Sequence, residues 1–332
     1  MKEDHPKVNF GKTGMLLINL GTPDTTSWWD IRRYLKEFLS DKRVIEVNPF
    51  LWKIILNVFI LTFRPSKTAK AYKEIWMKKE DMSPLRYYTI MQTKKLNEKI
   101  KSKNIVVDYA MRYGNPSIRS KIEKLHSEGC ENLIVLPLYP QYAAATTATV
   151  CDEVFRTLIK MRWQPSLQII SHYESEPLYI EALKNSLEKK IKEISWDPDV
   201  IIASYHGIPK KYFEKGDPYH CYCQKTSRLL SEKFKKIPIK TTFQSRFGPQ
   251  EWLQPYTDKT LESLPKEGKK SVLVICPGFS SDCVETLEEI SLQGKESFIK
   301  SGGKNFDVVP CLNETDDHIN LLKNLFNKYF IK

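Results

Sequence analysis

Eight short runs rich in β-branched and other apolar residues, each followed by a Gly or Pro turn, alternate along this chain with longer amphipathic stretches. That alternation leaves few folds open, because short apolar strands separated by helix-length segments are the signature of βα units around a parallel sheet. The runs are 15–20, 106–111, 133–138, 167–171, 200–205, 240–245, 271–276 and 306–310. They fall into two sets of four, and the expected fold class is α/β with two similar halves, each a four-stranded, mainly parallel sheet flanked by helices.

The two sets carry matching punctuation. Arg112-Tyr113-Gly114 follows the second run of the first set and Arg246-Phe247-Gly248 follows its counterpart, each leading through a Pro into a helix. Gly21-Thr22-Pro23 parallels Gly207-Ile208-Pro209, and Pro137 parallels Pro277. Three matches in one order indicate two halves built alike that face each other across a cleft. Ligands of such sheets bind at the carboxyl ends of the strands, where every one of these motifs sits. The expected division is residues 1–173, then 174–305, with a C-terminal strand and helix at 306–332 packing back on the first half.

Charge narrows the partners without choosing one. With 52 Lys and Arg against 40 Asp and Glu the net charge is +12, a field that favours anionic partners. No nucleic-acid-binding motif is present and the lysines are spread over many faces, so no nucleic-acid partner is expected. Seven cysteines at irregular spacing fit a reducing compartment rather than a disulfide framework. The start, MKEDHPKVNF, holds acids and no apolar run, so a cytoplasmic location is expected.

An extra segment at about 48–83 has no counterpart in the second half. Its apolar run from Pro49 to Phe63 is interrupted by Lys53 and Asn57 and falls short of the roughly 20 residues that span a bilayer. It reads either as a buried helix or as an interfacial lip, with Trp52 and Phe59 entering the headgroup region while Lys53 and Arg64 meet phosphates.

No dinucleotide, triphosphate or nucleophile-elbow motif accompanies the α/β pattern, which points to a site built from side chains at strand ends. His206 follows an apolar strand directly and precedes Gly207 and Pro209. A lone histidine is more often structural, but at a strand end a neutral imidazole can bind a transition metal or accept a proton near neutral pH. Asp282, Glu285 and Glu289 are spaced to share one helix face. A helix cap explains two acids at most; a row of three can pass protons or a cation to a buried centre. His220, Cys221 and Cys223 form a weaker candidate metal group, since no second pair stands at matching distance. The aromatic pieces 139–142 and 252–256 read as core and turn residues that would also suit a flat, apolar ligand.

Together SYHGIP (204–209), QSRFGPQEWLQPYT (244–257), PGFSSDCVETLEEI (277–290), LINLGTP (17–23) and LYPQYAAATT (138–147) resemble the ferrochelatases of bacterial type, over nearly the whole chain from Met15 onward. The resemblance implies two Rossmann-like halves holding a porphyrin between them, a chelatase-like fold, and insertion of ferrous iron into protoporphyrin IX to give protohaem. It implies that His206 binds metal or takes the pyrrole protons, with Glu285 facing it, and that Asp282 and Glu289 continue the path for protons or metal. Leu20, Arg64, Ser83, Arg112, Tyr113 and Trp252 fall where the macrocycle or its propionates are held.

Several further expectations follow from the resemblance. The segment at 48–83 becomes a lip that makes peripheral contact with a membrane surface. Iron is a substrate and no cofactor is tightly bound; with no cysteine after Cys311, no iron–sulfur cluster is expected. Cys283 stands where some members carry a second histidine. A monomer is expected. A coproporphyrin III ferrochelatase, a chelatase for another divalent metal and a non-catalytic tetrapyrrole carrier are the alternatives.

Overall fold

The computed structural model describes residues 10–330; the reading made on the first nine residues lies outside that range. The first half runs β1 (Lys12–Thr22), α1 (Trp28–Leu39), α2 (Pro49–Ile54), a π-helix (Ile55–Ile60), α3 (Leu61–Ile75), α4 (Pro84–Ile100), β2 (Ile105–Gly114), α5 (Ile118–Ser127), β3 (Cys130–Pro137), a π-helical turn (Ala144–Ala148), α6 (Thr149–Leu158) and β4 (Ser166–Ile169). After α7 (Pro177–Glu193) the second half follows with β5 (Val200–His206), α8 (Lys210–Glu214), α9 (Tyr219–Lys233), β6 (Ile239–Gln244), α10 (Thr257–Ser263) and β7 (Ser271–Ile275). A longer π-helix (Glu285–Gly294), α11 (Lys295–Lys300), β8 (Asn305–Val308) and α12 (Asp316–Tyr329) complete it.

All eight sequence runs are strands, because their apolar residues are covered by helices on both sheet faces: Met15 through Ile18 and Ile201 through Ala203 are wholly buried. The sheets are parallel and share one order, β2-β1-β3-β4 and β6-β5-β7-β8. In each, the chain leaves the first strand in one direction and returns on its other side. The crevice between β1 and β3, and between β5 and β7, is therefore where a ligand site belongs.

The registers refine the repeat. Asn19 faces Met111 and Tyr205 faces Phe243, and the N–H groups of Met111 and Phe243 each donate at 2.8 Å to a proline carbonyl, of Pro116 and Pro255. Met111 and Phe243 are thus equivalent, which makes Arg112 and Tyr113 the counterparts of Gln244 and Ser245. The Arg-aromatic-Gly triplets are displaced by two residues and are not equivalent, a correction to the sequence match; the second half has seven extra residues between Phe243 and Pro255. Arg112, Tyr113 and Gly114 also lie within β2, not after it.

One apolar core crosses both halves, with Leu17 and Leu136 of the first, Ile201 and Tyr205 of the second, and Leu183 of α7 in a single cluster with Leu321 and Leu325 of α12. The last helix packs on both α4 and α7, and Lys95 Nζ donates to the Glu314 carbonyl at 2.8 Å. The last strand does not: β8 pairs with β7 and belongs to the second sheet. No described helix is long and apolar enough to cross a membrane.

Candidate active site

His206 is the last residue of β5, half-buried, and its Nδ1 lies 2.7 Å from the carbonyl oxygen of Gly207. A carbonyl only accepts, so Nδ1 carries a proton there and Nε2 is the ring nitrogen left free of that bond. Gly207 is required by crowding: a Cβ there would lie 2.9 Å from the Gln244 carbonyl oxygen and 3.1 Å from the Trp252 ring. Trp252 thereby packs against the turn that carries His206, its indole N–H held at 2.9 Å by the Phe247 carbonyl. Leu20 occupies the matching place at the end of β1.

A narrow recess opens between the halves, walled by Leu20 and Gly21, by Tyr34 of α1 and Tyr72 of α3, by Ser83 ahead of α4, and by Cys283 to Glu285 at the start of the long π-helix. Ser83 is buried, and its hydroxyl caps α4 by accepting the Arg86 N–H. Burial, with the charge of Glu285 adding to it, pushes the phenols of Tyr34 and Tyr72 well above their ordinary range, so both stay protonated donors. Neither tyrosine was singled out from the sequence; each sits in an amphipathic helix with no motif around it.

The acids separate. Glu285 and Glu289 both lie on the π-helix, four residues apart, and π-helical turns of this kind concentrate at functional sites. Burial raises the Glu289 carboxyl above its ordinary range; the Ser245 hydrogen bond and a protonated His206 oppose that, and Glu285 adds to it. Glu289 thus lies within electrostatic reach of both His206 and Glu285. Asp282 is a correction: it precedes the helix, and its buried carboxylate accepts from Asn313 Nδ2 (2.7 Å), the Thr286 hydroxyl (3.0 Å) and the Cys311 N–H (3.3 Å). Those bonds fasten the turn after β7 to the turn after β8, and the expected row of three acids is a pair.

Arg112 and Tyr113 are also spoken for. The Arg112 guanidinium donates to Asp41 Oδ2 at 2.6 Å and to Thr149 at 2.7 Å, and the Tyr113 hydroxyl donates to the same Asp41 oxygen at 3.0 Å. Both members of the ion pair are about nine-tenths buried, which leaves Arg112 a structural cation and not a free anchor for propionates. Arg64 has no carboxylate partner among the described residues; its guanidinium lies 4.6 Å from the centre of the Phe247 ring, across the cleft.

Residues 49–75 form one bent helix interrupted by its π-turn. Phe50, Leu51, Ile54, Val58, Phe59 and Phe63 stand exposed on it, Phe50 at 77% and Phe63 at 73%. Trp52 turns inward instead, its indole N–H donating to the Leu39 carbonyl at 2.7 Å, so it is not one of the projecting aromatics. Cys221 is exposed and Cys223 buried, and no group of three His, Cys, Asp or Glu among the described residues is arranged to hold a metal; His220 stacks on Phe243.

A family model for ferrochelatase matches residues 12–329. Ferrochelatases from Allorhizobium ampelinum, Rhizobium meliloti and Francisella tularensis subsp. novicida are 54%, 53% and 50% identical to this chain. The alignments cover 99%, 98% and 96% of this chain and 96%, 97% and 96% of those proteins. Among solved structures, SirB from Bacillus subtilis with Fe3+ matches with a TM-score of 0.56 at 13% identity, covering 96% of this chain and 95% of that one. CbiX, the terminal enzyme for biosynthesis of siroheme in denitrifying bacteria, matches at 0.51 and 9%, covering 96% and 100%. These likenesses are of fold alone, an α/β chelatase fold of two four-stranded parallel sheets. With the family model spanning both halves and half or more of its residues shared with such relatives, the chain belongs to the ferrochelatase family.

Proposed function

We propose that the protein inserts ferrous iron into protoporphyrin IX to form protohaem, with His206 and Glu285 as the groups that meet the metal centre. The observation that carries this reading is the orientation of His206: its Nδ1–H is held by the Gly207 carbonyl, which leaves Nε2 as the free ring nitrogen at a strand end within electrostatic reach of Glu289. Metallation removes two protons from the pyrrole nitrogens and places a dication in the same plane. An imidazole lone pair accepts those protons, and carboxylates accept them in turn or guide the incoming cation. A rigid recess that favours the bent macrocycle over the flat one lowers the barrier by differential binding.

Glu289 continues the path from this centre, and Leu20, Ser83 and Trp252 contact the ring. Arg64, free of a carboxylate partner among the described residues, meets a propionate at the mouth. The exposed phenylalanines of residues 49–75 rest on a membrane surface, with Lys53 facing anionic headgroups. The poorly soluble substrate arrives from there, and the same lip favours protoporphyrin over a four-carboxylate porphyrin. The enzyme works as a cytoplasmic, peripherally attached monomer with no resident cofactor or cluster.

Anaerobic competition between protoporphyrin IX and coproporphyrin III for ferrous iron tests the reading. Faster metallation of protoporphyrin is expected. Faster metallation of coproporphyrin overturns the substrate, turnover only with another divalent metal overturns the iron, and tight porphyrin binding with no metallation replaces the enzyme by a carrier.

A further inference from the structure

We infer that Gln244 and Ser245, the end of β6, are positioning residues for the reaction: they hold the Glu289 carboxyl in one orientation through neutral donors. This rests on the proposed path from His206 and Glu285 to Glu289. The Ser245 N–H donates to Glu289 Oε1 at 2.7 Å, and the Ser245 hydroxyl donates to Oε2. Gln244 Nε2 donates to the same Oε2 at 3.2 Å and to the Glu285 carbonyl oxygen at 2.9 Å. The Gln244 side chain is itself fixed, because its carbonyl oxygen accepts the buried Ser204 hydroxyl at 2.7 Å. One amide therefore ties the strand next to His206 to both acids of the π-helix, since Gln244 faces His206 across the parallel ladder.

Two observations separate this from ordinary packing. Ser245 has φ of +64°, a left-handed conformation that a residue with a Cβ adopts only where its surroundings impose it. That conformation accompanies an N–H bonded to the carboxylate. The first half supplies the contrast, because the equivalent residues Arg112 and Tyr113 also hold a carboxylate, that of Asp41. There an arginine cancels the charge, and the pair is sealed into the core. In the second half both donors are neutral, so they fix the direction of the Glu289 carboxyl without adding a cation, beside an open pocket that it lines together with Gln244 and Ser245. The same place in the fold serves as a structural lock in one half and as a poised acid in the other.

The test is a double-mutant cycle on the full chain, reading kcat and KM for iron and porphyrin together with the melting temperature. Ser245→Ala and Gln244→Met are each expected to lower kcat about tenfold, the effect of losing one hydrogen bond to a charged group, with the KM for porphyrin unchanged. In a Glu289→Gln background neither change is expected to reduce kcat further. Losses that simply multiply in that background, or a raised KM for porphyrin with kcat unchanged, overturn the inference. A Glu289→Gln enzyme of unaltered kcat overturns the path itself, a result distinct from failure of the positioning pair.

Discussion

Leu20 and His206 occupy the same position in the two repeats: each is the first residue past the matched pair Asn19–Met111 or Tyr205–Phe243, and each is followed by the glycine of a Gly-x-Pro turn. One fold position carries an apolar wall in the first half and an imidazole in the second. A cleft between two such halves presents chemistry on one side and a surface for a flat ligand on the other.

The buried Arg112–Asp41 pair is expected to hold the fold rather than to meet substrate. Arg112→Met leaves the Asp41 carboxylate buried without its cation, a loss of about 3 to 5 kcal/mol, and a clear fall in melting temperature is expected with little change in the KM for porphyrin among folded molecules. Calorimetry paired with steady-state kinetics checks it. A raised KM at unchanged melting temperature would return Arg112 to the porphyrin.

His318 makes stability depend on pH. It is wholly buried near the start of α12, donating from Nδ1 to the Asn313 carbonyl at 2.6 Å, and burial depresses it to about 4 against that bond. The unfolded chain, whose histidine titrates near 6.5, binds more protons between those values. The contribution is complete above pH 6.5 and is lost as pH falls toward 4, by roughly 3 kcal/mol. Denaturant titrations across that window should show the slope in the native chain and a flatter one in His318→Asn.

The exposed lip residues should govern binding to lipid. Phe50→Ser with Phe63→Ser removes two large apolar side chains from an already exposed face, so folding is spared. Sedimentation with anionic vesicles should show binding weakened at least tenfold, since burying each phenylalanine is worth about 2 kcal/mol. Equal binding by the double variant would remove the lip from the account.

The eight strands, their grouping in fours and the strand-end position of His206 were legible in the sequence because buried parallel strands must be continuously apolar and must end at turns. The strand register was not legible. Arg246-Phe247-Gly248 matches Arg112-Tyr113-Gly114 in letters, yet an insertion moves it two places off. The acids misled for a related reason: a helical spacing was assumed from Asp282, whereas the turn at 280–283 delays the helix and hands that carboxylate to Asn313. Tyr34, Tyr72 and the carboxylate of Asp41 gave no local signal at all, since only the tertiary fold brings α1 and α3 to the strand ends.

The division of labour across the cleft is tested most directly by anaerobic metallation of protoporphyrin with ferrous iron, followed by absorbance, for the native protein, His206→Leu and Glu285→Gln. His206→Leu gives the second half the residue of the first. The account predicts haem formation by the native protein and loss of turnover by at least a hundredfold in both variants, the typical worth of a positioned acid or base, with porphyrin binding retained. Native-like turnover by His206→Leu would contradict it.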